Sequence, residues 1–95
     1  MMSALDIIIM VSAYLKIEKP SLIGNSTSRQ YYVARMIICR LCDYADFSTG
    51  EIAEALKCSR EQVRYAMEKF YEQIDNDTEL KDKIDICWKG FKNLN

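Results

Sequence analysis

Three serines in this chain are each followed, three residues later, by a side chain able to reach back to them: Ser3 with Asp6, Ser48 with Glu51 and Ser59 with Gln62. At that spacing the serine oxygen accepts the third helical N–H, and the partner side chain accepts the serine N–H. Such pairs mark helix starts, although Asp is a weaker partner than Glu. Asp77 supplies a fourth cap before Thr78-Glu-Leu80. No stretch shows the alternation of a strand. With three glycines and one proline in 95 residues, a loop-built fold is excluded. The chain is expected to be all-α, one small domain over residues 1–95, with five to six helices joined by short connections.

Apolar spacing behind each cap gives the expected inward faces. After Ser3, residues Leu5, Ile8, Ile9, Ser12 and Leu15 recur near helical spacing, and Ile7 and Val11 widen that face. Pro20 to Ile23 suits a short helix that Gly24 ends, and Asn25 to Ser28 is loop by composition. The next helix spans Ser28 to Tyr44, with Val33, Ile37, Leu41 and Tyr44 as its stripe and Met36 and Cys39 beside it. Arg29, Arg35 and Arg40 are its polar positions. After Ser48, residues Ile52, Ala53 and Leu56 face inward, and the helix stops near Lys57-Cys58. After Ser59 the inward set is Val63, Ala66, Met67, Phe70 and Ile74. The last helix carries Leu80, Ile84 and either Cys87 or Trp88 inward, and Gly90 is the expected C-terminal cap. Trp88 and Phe91 are read as core, with a dimer contact as the alternative; of Tyr31 and Tyr32, one is read as core and one as half-exposed, with stacking or a phosphate contact as the alternative.

Composition removes several functions. The chain has no histidine, which excludes zinc sites with histidine ligands, Ser-His-Asp catalysis and histidine pH switching. No nucleophile–base pair or oriented acid pair stands out, so no enzyme activity, catalytic residue or cofactor is expected. Cys39 and Cys42 have Cys-x-x-Cys spacing, which admits a metal or redox reading. Both lie mid-helix, and Cys58 and Cys87 have no paired spacing, so small buried hydrophobes are the expectation and no metal is assigned. The four cysteines could form two disulfides. The apolar run at Ile7–Val11 is preceded by Asp6, unlike a signal peptide, so reduced thiols in a cytoplasmic protein are expected. No window approaches 18 apolar residues, and no membrane partner is expected.

Residues 51–67, Glu-Ile-Ala-Glu-Ala-Leu-Lys-Cys-Ser-Arg-Glu-Gln-Val-Arg-Tyr-Ala-Met, read as a helix-turn-helix. Ala53 is small where the helices cross, Ile52 and Leu56 anchor the first, Val63 and Ala66 anchor the second, and Cys58 plugs the turn. Lys57 stands where many such turns use glycine. Two packed helices with a tight turn also occur as plain core architecture. In the functional reading, the second helix presents Arg60, Glu61, Gln62, Arg64 and Tyr65 to a major groove. Arginine can read guanine bidentately and glutamine adenine, and the amides near Ser59 can hold a phosphate.

Longer stretches carry a resemblance. Val11-Ser-Ala-Tyr-Leu-Lys-Ile17 with Leu22-Ile23, then Ala34-Arg35-Met-Ile-Ile-Cys-Arg-Leu-Cys42, Phe47 to Leu56, and Asp77-Thr-Glu-Leu-Lys-Asp-Lys-Ile84 follow one another along nearly the whole chain. In this the chain resembles the C-terminal double-stranded-DNA-binding domain of the bacterial replication initiator DnaA, of the Trp-repressor-like helical group. The resemblance implies a Trp-repressor-like fold and double-stranded DNA as partner. It does not imply nucleotide binding, because no phosphate-binding glycine loop is present. The family signature Gly-x-Asp-His-Thr-Thr-Val-x-x-Ala falls on Lys57 to Ala66. Val63 and Ala66 match, whereas Ser59, Arg60, Glu61 and Gln62 all differ. The family's arginine in the preceding long helix is kept as Arg35, and the following glutamine is Met36. The family's minor-groove arginine falls on Thr27, with Arg29 two residues on.

The expected DNA-binding set is therefore Arg29, Arg35, Ser59, Arg60, Gln62 and Arg64, with the four arginines forming one patch. The expected role is that of a standalone accessory or regulatory protein of a phage or mobile element, with self-association as a dimer or larger oligomer left open. The alternative is a protein-interaction or structural assembly module that kept the fold and lost sequence-specific binding. The formal net charge of -1 favours that alternative. Against it, five of the 14 acids lie between Asp75 and Asp85, which is expected to keep them away from the reading helix. Glu61 is the residue least suited to DNA.

Overall fold

All three Ser-x-x pairs close as reciprocal capping boxes. At the first, the Asp6 amide donates to Ser3 Oγ at 3.1 Å and the Ser3 amide donates to Asp6 Oδ2 at 2.8 Å. The computed structural model of the chain describes residues 2–18 and 28–94. Within them the chain forms five helices: α1 (Ala4–Leu15), α2 (Arg29–Tyr44), α3 (Thr49–Leu56), α4 (Arg60–Gln73) and α5 (Thr78–Lys92). It is a small, compact all-α domain. The expected short helix at Pro20–Ile23, its Gly24 cap and the Asn25–Thr27 loop lie outside the described residues.

Helix α2 is the centre. Val33, Ala34, Met36, Ile37, Ile38, Cys39, Leu41 and Cys42 are buried along it, and α1, α3, α4 and α5 all pack on it. Two sides of α2 are therefore covered. The expected stripe of Val33, Ile37 and Leu41 is part of that core, but Tyr44 is exposed. It lies at the helix end, where its ring meets Trp88 edge-on at 4.9 Å.

The inward face of α1 differs from expectation. Ile7, Ile8 and Val11 are fully buried, with Ala4 and Met10 beside them, whereas Leu5 and Ile9 are 45% and 47% exposed. The run Ile7-Ile-Ile-Met-Val11 offers an apolar face in more than one direction, so periodicity alone does not select between them. The face containing Ile7 and Val11 is the one buried in the core, where α1 packs on both α2 and α5.

Gly90 does not end α5. The helix continues to Lys92, with Asn93 as its cap, and Gly90 is buried where α5 meets α1. A Cβ there would lie 2.7 Å from the Tyr14 ring and 3.0 Å from Met10 Sδ. The glycine provides close approach, not a terminus. Cys87 is the inward residue at its level, and Trp88 is half-buried, stacked on the buried Phe91 with ring centroids 5.4 Å apart. Tyr31 and Tyr32 are both half-buried. At α4, Val63, Ala66 and Phe70 are buried as expected, with Met67 and Ile74 partly so.

All four cysteines are free thiols, and Cys39, Cys42 and Cys87 are buried. Burial pushes the thiols of Cys42 and Cys87 up to about 12 and raises that of Cys39 further. These side chains act as neutral packing groups at physiological pH.

Lys57 ends α3 in the left-handed region, at φ 55° and ψ 48°. Its amide donates to Glu54 O, and the Cys58 amide donates to Ala53 O. A side chain in this conformation is strained by roughly 1–2 kcal/mol, and glycine relieves that at some cost in unfolded-chain entropy. Lys57→Gly is therefore expected to stabilise the domain by up to about 1 kcal/mol. The denaturant midpoint should rise; a fall would show that the lysine side chain makes a compensating contact.

Candidate nucleic-acid interface

Helices α3 and α4 are joined by Lys57-Cys58-Ser59. Ile52, Ala53 and Leu56 root α3 in the core, and Val63 and Ala66 root α4. The rooted face leaves the other side of α4 outward: Arg60, Glu61, Gln62, Arg64, Tyr65 and Glu68 are all exposed. An exposed helix start held by a buried face is what groove insertion requires.

Ser59 and Gln62 are engaged with each other. The Gln62 amide donates to Ser59 Oγ at 3.1 Å, and the Ser59 amide donates to Gln62 Oε1 at 2.8 Å. This leaves the backbone amides of Arg60 and Glu61, at the first two helical positions, without intrahelical acceptors. Gln62 Oε1 already accepts the Ser59 amide, so a bidentate contact with adenine competes with the capping box for that oxygen. Loss of such a cap costs about 1 kcal/mol. The Gln62 side-chain N–H₂ group remains a donor with the box closed.

Arg60 extends back over α3. A Cβ on Gly50 would come within 2.9 Å of Arg60 Nη2. The bare Gly50 backbone in the first turn of α3 thus provides the floor on which the guanidinium lies. Arg35, half-buried on α2, is close enough to the turn for its charge to oppose the burial that raises the Cys58 thiol. Arg35 and Arg60 therefore flank the α3–α4 turn. Arg64 lies about one turn further along α4, 3.9 Å from Glu61.

Arg29 is engaged by acids of another helix. Its guanidinium donates to Asp77 Oδ2 at 2.8 Å and lies 3.6 Å from Glu79 Oε1. The start of α2 is thus tied to the start of α5, and the acidic segment beginning at Asp75 is not remote from the candidate interface: two of its acids meet Arg29. Sequence separation concealed this, because Arg29 and Asp77 are 48 residues apart.

Between these two ends lies a polar seam that the sequence reading did not assemble. Tyr32 from α2 is hydrogen-bonded to Gln73 and lies near Tyr65 and Lys69 of α4. Its phenol is raised above its ordinary value, first by burial and then by Tyr65. Lys69 lies over the Tyr65 ring at 5.4 Å. A groove of about 520 Å³ opens between α2, α4 and α5. Arg40 lies over the Tyr44 and Tyr71 rings at its edge, at 5.8 and 5.7 Å. Neither feature has a contiguous signal, because each combines residues from separate helices.

Among the described residues, no group of three or more His, Cys, Asp or Glu side chains is placed to hold a metal ion. No described helix is long and apolar enough to cross a membrane. No family model matches the chain, and no curated protein matches it significantly.

The Asp77 carboxyl is held below its ordinary value, first by the Leu80 amide; burial opposes this, and the Arg29 guanidinium adds to the lowering. A depressed carboxyl contributes stability above its unfolded pKa and loses it as pH falls through the folded value. Asp77→Asn keeps the cap oxygen and removes the charge. The variant is expected to be less stable than the parent at neutral pH, with the difference closing as pH falls below the carboxylate range. Denaturant titrations across acid pH check this; a difference independent of pH would contradict the role of the charge.

Proposed function

We propose that the chain binds double-stranded DNA, with α4 entering the major groove and Arg35 holding a phosphate beside the α3–α4 turn. The observation that carries this reading is the rooted, outward start of α4: Val63 and Ala66 fix it on the core, while Arg60, Gln62 and Arg64 stay exposed. In this reading α3, the turn and α4 form a helix-turn-helix of the kind in the replication initiator's C-terminal domain. The amides of Arg60 and Glu61 offer a phosphate contact at the helix start. Arg60 is the residue for guanine, because its long side chain is exposed and forms no ion pair with a described residue. Ser59 and Gln62 act first as the cap and only secondarily toward bases. Arg29, held by Asp77 and Glu79, contributes to an interface edge and not to its centre. The free thiols suit a reducing compartment such as the cytoplasm.

A second reading, docking of another protein on the same face, is favoured by one observation. Arg29 and Arg64 both have acidic neighbours, which lowers the positive potential that DNA would meet. The readings separate in a fluorescence-anisotropy titration against random and selected duplexes at two salt concentrations. DNA binding predicts affinity that strengthens steeply as salt falls. Arg60→Ala should then relax sequence preference by about 1–3 kcal/mol at one position, and Arg35→Ala should weaken all duplexes alike. Absence of binding at the lower salt would overturn the proposal and leave the protein-docking reading.

A further inference from the structure

Helix α1 is unlike the other four on its outer side. Residues 7–15 carry no charge, whereas the exposed faces of the other helices carry charges such as Asp43 on α2, Glu54 on α3, Arg64 and Glu68 on α4 and Asp82 on α5. With Ile7, Ile8 and Val11 against the core, a helical rotation of about 100° per residue brings Leu5, Ile9 and Ala13 onto one outward line. Leu5 and Ile9 are nearly half exposed and Ala13 is exposed. Asp6 lies at the start of this line, and Lys16, also exposed, caps its end in the left-handed conformation.

We infer that this face is the contact between two copies of the chain, with their α1 helices paired antiparallel about a two-fold axis. The argument is the face's complementarity to itself. In the antiparallel register centred on residue 11, Ile9 of each copy lies over the small Ala13 of the other, so large meets small twice. The same register brings Asp6 of each copy to Lys16 of the other, so opposite charges meet twice. A parallel pairing would instead set Asp6 against Asp6 and Lys16 against Lys16. An anionic membrane is a poor occupant, because an interfacial helix needs a cationic polar face and this one has a single lysine. Isologous two-fold contacts are the commonest way for a protein to pair with itself. Two short helices bury less surface than a standard interface, so the association is weak and concentration dependent. The surface lies on α1 and so stands independently of the DNA reading.

Sedimentation equilibrium of the full chain, from micromolar to millimolar concentration, tests this together with two single variants. The parent is expected to be in monomer–dimer exchange. Ile9→Glu and Ala13→Lys, each on an exposed position, should each weaken self-association by about tenfold or more. Their circular dichroism and thermal midpoints should match the parent, which excludes a folding defect. An equimolar mixture of the two variants should recover association, because in the mixed pair one contact is Glu over Lys and the other is the parental Ile over Ala. A parent that stays monomeric throughout, or variants that associate as the parent does, would overturn the proposal. Weakened variants without recovery on mixing would overturn the antiparallel register.

Discussion

Burial of α2 on two sides is the constraint on which the rest of the structure depends. Eight of its sixteen residues are buried, and every other described helix touches it. A helix so enclosed leaves few positions for polar groups, and the structure places Arg35 and Arg40 at the margins of its buried surface. Arg35 emerges beside the α3–α4 turn, and Arg40 is flanked by the rings of Tyr44 and Tyr71. The position of each α2 arginine follows from where the core ends, and so does the chemistry each can offer.

The capping boxes provide the second level of organisation. They determine where α1, α3 and α4 start, and hence which side chains occupy the first turns. At α4 the box would carry a cost in the proposed DNA contact, since Ser59 and Gln62 are bonded to each other. A reading helix normally presents its first-turn side chains to bases. In the proposed reading that task shifts toward Arg60 and Arg64, whose side chains take no part in the cap. The Gly50 backbone beneath Arg60 keeps the guanidinium beside α3, where a larger residue would displace it.

Local features of the fold were legible in the sequence, and contacts between distant segments were not. Capping pairs, the three-residue turn and the inward faces of α3 and α4 are all encoded within a few residues, so spacing revealed them. The buried face of α1 was not recoverable in the same way, because isoleucine occupies positions 7, 8 and 9 and the choice is made by packing on α2 and α5. Gly90 illustrates a similar ambiguity: a glycine near a helix end signals a cap, yet here its neighbour is Tyr14 from the opposite end of the chain. Arg29 was legible as an exposed cation, but its partners Asp77 and Glu79 come from a helix far along the sequence. This long-range pairing gives one of the four expected arginines, Arg29, two acidic neighbours that spacing along the sequence did not reveal.

The central claim is that the rooted start of α4, flanked by Arg35, is the surface that meets DNA. Backbone amide chemical shifts, followed by NMR as duplex DNA is added at low salt, test it most directly. The account predicts that the largest changes fall on residues 57–65 and around Arg35, while the amides of Leu5, Ile9 and Ala13 on α1 stay unmoved. Changes centred on the groove between α2, α4 and α5, or no changes at saturating duplex, would contradict it.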